Sequence, residues 1–77
     1  MTIISTKYLT NGRGLPVTQT LVSHNGKYYI VSDNTRETII FISDKDGNNS
    51  YEEVGSGTDT KDCFKQIENG QIMSFTK

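Results

Sequence analysis

Cysteine occurs once in this sequence, at position 63, so no disulfide can form within the chain. Small secreted domains lean on such staples because their cores are too small to hold alone. Their lack here points to a reducing compartment, the cytoplasm. Histidine also occurs once, at His24. One Cys and one His fall short of the roughly four N/S ligands a structural zinc takes. Nucleophilic catalysis is short of a base for the same reason: His24 flanks a tight turn, and Cys63 reads as a small packed residue on a helix. Without a catalytic, metal or cofactor set, a non-enzymatic protein is expected. No apolar run approaches the ~20 residues that cross a bilayer, so no membrane partner is expected. The opening MTIISTKYLT also lacks the long apolar stretch of a signal peptide. There is no internal repeat and no low-complexity linker, and 77 residues make a single domain, 1–77.

Apolar residues make up only 32% of the chain. A domain of this size buries roughly 60–65% of its unfolded surface, which leaves it modestly stable. A bound partner or a homodimer is expected to supply further burial, twofold dimers being the commonest soluble assemblies. Its seam would run along Ile39 and Phe41, or along the edge of the strand 1–10.

Negative charge is missing from the first 31 residues, which carry Lys7, Arg13 and Lys27 and no acid. The remainder holds nine acids against five bases, and the whole chain sums to −1. Six of the acids fall between positions 44 and 62: Asp44, Asp46, Glu52, Glu53, Asp59 and Asp62. Such an asymmetry polarises a small domain and steers its encounters.

What is present is strand-forming. TIISTKYLT is rich in β-branched residues and reads as a first strand. Asn11–Gly14, NGRG, breaks it. PVTQTLVSH follows, with Pro16 at a first position that needs no ladder donor. Asn25-Gly26 is the preferred pair for a two-residue type I′ turn, so KYYIVSD should return as a third strand. ETIIFISD reads as a fourth, with Ile40 and Ile42 on one face and Ile39 and Phe41 on the other. Apolar residues on both faces point to a central strand, or to one covered on its second side. SYEEV reads as a short fifth strand, GSGT (Gly55–Thr58) as a flexible break, and DTKDCFKQIENG as the one helix. Asp59 is its N-cap, Asp62 lies in the first turn, and Asn69-Gly70 is the stop. Phe64 and Ile67 share a helix face with Cys63 beside them. QIMSF closes the chain as a short strand or docked tail. The expected fold is α+β: an antiparallel sheet of four to five strands with the helix packed on it.

The run DKDGNN at Asp44–Asn49 admits two readings. As an EF-hand-like loop with Gly47 at position six, Asp44, Asp46, Ser50 and Glu53 would fall at ligand positions. Position one would then be Ile42, which has no side-chain oxygen, and the flanks are strand-like rather than helical. A turn is the better reading, because Asp, Gly and Asn tolerate left-handed backbone. Around it, Tyr28, Tyr29, Ile30, Val31, Ser32, Glu37, Thr38, Phe41, Asp44, Asp46, Gly47 and Asn48 resemble a group of short phage and prophage proteins. These show a Tyr-Tyr-Ile-Val-Ser strand, a Glu-Thr-x-x-Phe strand and an acidic Gly-Asn turn, followed by a helix. The likeness covers residues 27–69. Tyr51 stands where the pattern has tryptophan, and the helix lacks the pattern's histidine. What the resemblance implies is a phage origin and a place in the host cytoplasm.

Three functions follow as expectations. The first is a small binding protein that inhibits a host defence or host enzyme by protein–protein contact, through Asp44, Asp46, Glu52, Glu53, Asp59 and Asp62. The second is a nucleotide or small-ligand binder with a pocket at an oligomer interface near GSGT. GSGTD before a helix could offer backbone N–H groups to an anion, although the P-loop spacing is absent. The third is a single-stranded nucleic-acid binder using Lys7, Tyr8, Arg13, Lys27 and Tyr28, which interleave charge and stacking surface. Three cations are few for that task. Glu52 and Glu53 alternate across a strand, so they do not form an adjacent acid–base pair.

Overall fold

The computed structural model describes residues 1–71, and the side chains of all of these except 49–51. β1 (Thr2–Thr10), β2 (Pro16–His24), β3 (Lys27–Asp33), β4 (Thr38–Ser43) and β5 (Asn49–Gly57) precede α1 (Thr60–Glu68). The sheet order is β1-β2-β3-β4-β5, with every neighbouring pair antiparallel. The expected α+β fold is therefore present, with five strands. The tail expected at QIMSF lies, from Ile72 onward, outside the described residues.

Short turns make this meander possible, and the side chains that close them are Asn and Asp. Asn25 (φ 52°) and Gly26 (φ 79°) both take left-handed backbone, and His24 pairs directly with Lys27 across them. This is the expected two-residue hairpin. A Cβ at Gly26 would meet nothing within 4 Å, so Gly26→Val tests the backbone alone. It should cost about 1 kcal/mol or more, because a β-branched residue resists positive φ. Urea denaturation measures it, and an unchanged midpoint would remove the turn from the forces that set the register.

Strand alternation sorts the side chains onto two faces. Val22, Tyr29, Val31, Ile40 and Ile42 face α1, as the pairs Val22–Tyr29, Val31–Ile40 and Tyr29–Ile42 require. Val22, Val31, Ile40, Val54, Cys63 and Ile67 form the buried core, with Phe64 packed against it. The helix thus presents the Cys63–Phe64–Ile67 face read from the sequence. It packs on β3, β4 and β5 and leaves β1 uncovered.

The opposite face carries Leu21, Ile30, Ile39 and Phe41. Part of its cover comes from the chain itself. The β4–β5 turn folds back over it, so that a Cβ at Gly47 would lie 3.6 Å from Leu21 Cδ2. Leu21 and Ile30 are buried there, while Ile39 and Phe41 remain half-buried.

One boundary differs from expectation. GSGT is not a flexible break: β5 runs on through Gly55 and Gly57, which pair with Ile40 and Thr38. The glycines serve close packing. A Cβ at Gly57 would collide with the Asp62 carboxylate and sit 3.1 Å from Cys63 Sγ. Strand and helix could not approach this closely with any larger residue there.

Candidate interaction surface

The six acids named from the sequence do not form one patch. Asp44 and Asp46 lie in the β4–β5 turn, Glu52 and Glu53 lie within β5, and Asp59 and Asp62 sit at the start of α1. Nine strand residues at ~3.3 Å each separate the two ends by roughly 30 Å. Asp44, Asp59 and Asp62 already serve local structure. Asp44 Oδ1 accepts from the backbone N–H of Asp46 (2.9 Å) and of Asn48 (3.0 Å), and its Oδ2 accepts from Asn48 Nδ2 (3.3 Å). Asp59 caps the helix by accepting from Asp62 N at 2.8 Å, as expected. Asp62 Oδ2 accepts in turn from Thr58 N at 3.1 Å. An anion approaching GSGTD would therefore meet two carboxylates already bonded to those N–H groups. Asp44, Asp46, Glu53 and Asp59 are exposed, and Glu52 and Asp62 are half-buried.

The DKDGNN run closes as a turn between strands: Gly47 N donates to Asp44 O at 3.2 Å, with Gly47 at φ 87°. These bonds, the Asn48 N–H first among them, hold the Asp44 carboxyl below its ordinary value of 3.8. The sign follows from linkage. A carboxyl whose folded value is depressed stabilises the fold above its unfolded value and loses that contribution as pH falls through the folded one. Asp44→Asn keeps the turn's acceptor and removes the titration. Thermal melts from pH 6 downward should show a shallower loss of stability below pH 3.8 in the variant than in the wild type. Parallel acid limbs would mean that the carboxylate charge does nothing for the turn.

The basic and aromatic residues are also dispersed. Lys7 and Tyr8 are neighbours in β1 and point to opposite faces: Lys7 pairs with Gln19, and Tyr8 with Thr18. Arg13 lies in the β1–β2 turn at one end of the sheet, and Lys27 at the β2–β3 hairpin at the other. Tyr28 is half-buried on the face away from the helix, opposite Ser23 and Ser43. Tyr29 packs against the core, and burial raises its phenol above the usual value. No single stacking groove joins them.

Cys63 is fully buried, with Sγ 3.9 Å from the Thr38 carbonyl. Burial first, then Asp62, Asp33 and Asp59, push its thiol up to about 11. This is the reverse of what a nucleophilic thiolate needs. His24 lies at the hairpin end of β2, whereas Cys63 packs beside Thr38 and Gly57 at the opposite end of the sheet. Among the described residues, no three His, Cys, Asp or Glu side chains group as metal ligands.

The edge of strand 1–10, expected as one of two dimer seams, is exposed along the whole of β1, an extent the sequence reading did not reach. This nine-residue strand pairs with β2 alone, and Thr2 through Thr10 are all exposed. Ile3 is 55% exposed, Ile4 46%, Tyr8 81% and Leu9 46%. The signal was available in the sequence: TIISTKYLT has one charge in nine residues. The other edge strand, β5, is interrupted by irregularities opposite Ile40–Phe41 and Phe41–Ser43 and carries two glutamates. Bulges and charges of this kind protect an edge from further pairing. β1 has one irregularity, between Ile3 and Ser5, and is regular from Ser5 to Thr10. At its Thr10 end, Arg13 and Arg36 line a cleft of about 200 Å³ between two turns, with Glu37 as its one acid. Compared with family models, curated proteins and solved structures, the chain finds no match.

Proposed function

We propose that this is a small non-enzymatic binding protein that acts by protein–protein contact, inhibiting a host defence or host enzyme during phage infection. The observation that carries the reading is β1: a fully exposed edge strand with four exposed apolar side chains and a single charge. Such an edge is a template for pairing with another chain. The phage-like pattern at residues 27–69 supplies the host setting. The charge asymmetry supplies steering, with Glu52 and Glu53 on β5 and Lys7 and Arg13 at β1, while Asp46 reaches over to the Lys7 side. A nucleotide site near GSGT has less support, because Gly57 is packed against α1 and the helix N-terminus is capped by carboxylates. The dispersed cations likewise weaken the nucleic-acid reading.

The test is reconstitution. A host protein captured by the chain is purified, and the complex is rebuilt from the two components. The reading predicts a defined stoichiometry and a loss of the host protein's activity on binding. Neutralising Asp46 and Glu53, or Lys7 and Arg13, should change association rate and salt dependence more than dissociation. If no complex can be rebuilt, while a nucleotide raises the melting temperature or a single-stranded oligonucleotide binds, the reading is wrong.

A further inference from the structure

We infer that β1 takes up an extended segment of its partner as a sixth strand, and that this segment sets an acidic residue opposite Lys7 on one face and an apolar residue opposite Tyr8 on the other. The inference rests on the binding-protein reading above and specifies the partner's chemistry. The regular part of β1 sets the pattern. Ser5, Lys7 and Leu9 face away from the helix, and Thr6, Tyr8 and Thr10 face the helix side, beyond the helix itself. A strand added beside β1 keeps this alternation, since directly opposed residues share a face. Its residue opposite Tyr8 meets a ring 81% exposed and gains most by being apolar. Its residue opposite Lys7 meets a cation with no ion-pair partner among the described residues. An acid there is favoured, and further acids past Thr10 come within reach of Arg13 and Arg36.

Charge decides between a foreign strand and a second copy of this chain. The first 31 residues hold three cations and no acid. Antiparallel pairing of β1 with its copy about a twofold near its centre would bring Lys7 close to the copy's Lys7, while an acidic segment is attracted to that cation. One local group works against the acid: Asp46, from the β4–β5 turn, lines the same small crevice as Lys7, together with Ser5, Gln19 and Leu21. Removing that charge should improve binding, which gives the proposal a variant that gains rather than loses.

The probes are end-capped octapeptides alternating valine with glutamate, or valine with lysine, titrated into ¹⁵N-labelled full-length protein at low salt. The valine–glutamate peptide should shift amides of residues 5–10 and their β2 partners, and bind about tenfold more tightly than the valine–lysine peptide. Added salt should narrow that difference. Lys7→Glu should reverse the order of the two peptides, and Asp46→Asn should tighten the acidic one severalfold. Both substitutions are on exposed side chains, so folding is preserved and checked by the same spectra. Shifts centred outside β1, no response from either peptide at millimolar concentration, or a peptide-free dimer through β1 would each overturn the inference. The binding-protein reading would survive those results if the reconstituted host complex still forms, and would fall only if that complex does not.

Discussion

Ile40→Ala is expected to cost about 2–5 kcal/mol, the range for removing a fully buried isoleucine. A 77-residue domain has a total stability of roughly 4–12 kcal/mol at ~0.05–0.15 kcal/mol per residue, so this one substitution should remove a large share of it. Ile40 is 0% exposed and lies in a central strand, between Val31 on β3 and Gly55 on β5. The glycine leaves the cavity with little to refill it. A Cβ built at Gly55 would stand 3.2 Å from Ile40 Cδ1, so the two positions compete for one space. Gly55→Ala should destabilise the wild type by overpacking, yet cost less or nothing beside Ile40→Ala. Urea denaturation of both single variants and the double variant gives the coupling. Strictly additive costs would show that the two side-chain positions do not share that volume.

Gly57→Ala should be nearly as damaging, at about 1–3 kcal/mol for an overpacked contact, and Gly57→Val worse. The new Cβ meets the Asp62 carboxylate and would lie 3.1 Å from both Asp62 Cγ and Cys63 Sγ. The carboxylate is tied to Thr58 N, and Cys63 is fully buried in the core. Neither can swing aside freely, so the first turn of α1 must back away from β5. The thiol of Cys63 reports this directly. In the wild type it is buried and raised to about 11, so a thiol reagent should modify it only as the protein opens. In Gly57→Val, modification should speed up at least in proportion to the lost stability. Wild-type stability and wild-type thiol protection in Gly57→Ala would mean that the helix does not pack against β5 as described.

The fold was legible because local chemistry and global pattern agree. Asn25-Gly26 demanded a hairpin, alternation in TIIFIS placed Ile40 and Ile39 on opposite faces, and Asp59 with Gly70 bracketed the helix. Gly55–Gly57 went the other way. Glycine-rich sequence favours a break on local grounds, and only the packed helix shows that the absent side chains serve a close strand–helix approach. The cover of the second face was likewise hidden, because no sequence period reveals that the Asp44–Asn48 turn folds back over Leu21. The acids read well as charge and poorly as a site: Asp44, Asp59 and Asp62 bond to their own backbone, an outcome that depends on which residues lie three or four positions on. The low charge of TIISTKYLT hinted at the strand 1–10 edge as a seam, but exposure along all of β1 follows only from the strand order. TIISTKYLT would look the same in the middle of the sheet as at its edge.

The strand-addition proposal depends on β1 being an open edge in the free protein. Native-state hydrogen exchange measures that residue by residue. Along residues 5–10, amides bonded to β2 should be protected, and the alternate amides that point away from β2 should exchange at near-unprotected rates. That sawtooth is the predicted result. Even protection along all six amides in the protein alone, persisting on dilution, would mean that the edge is already paired, and would contradict the account.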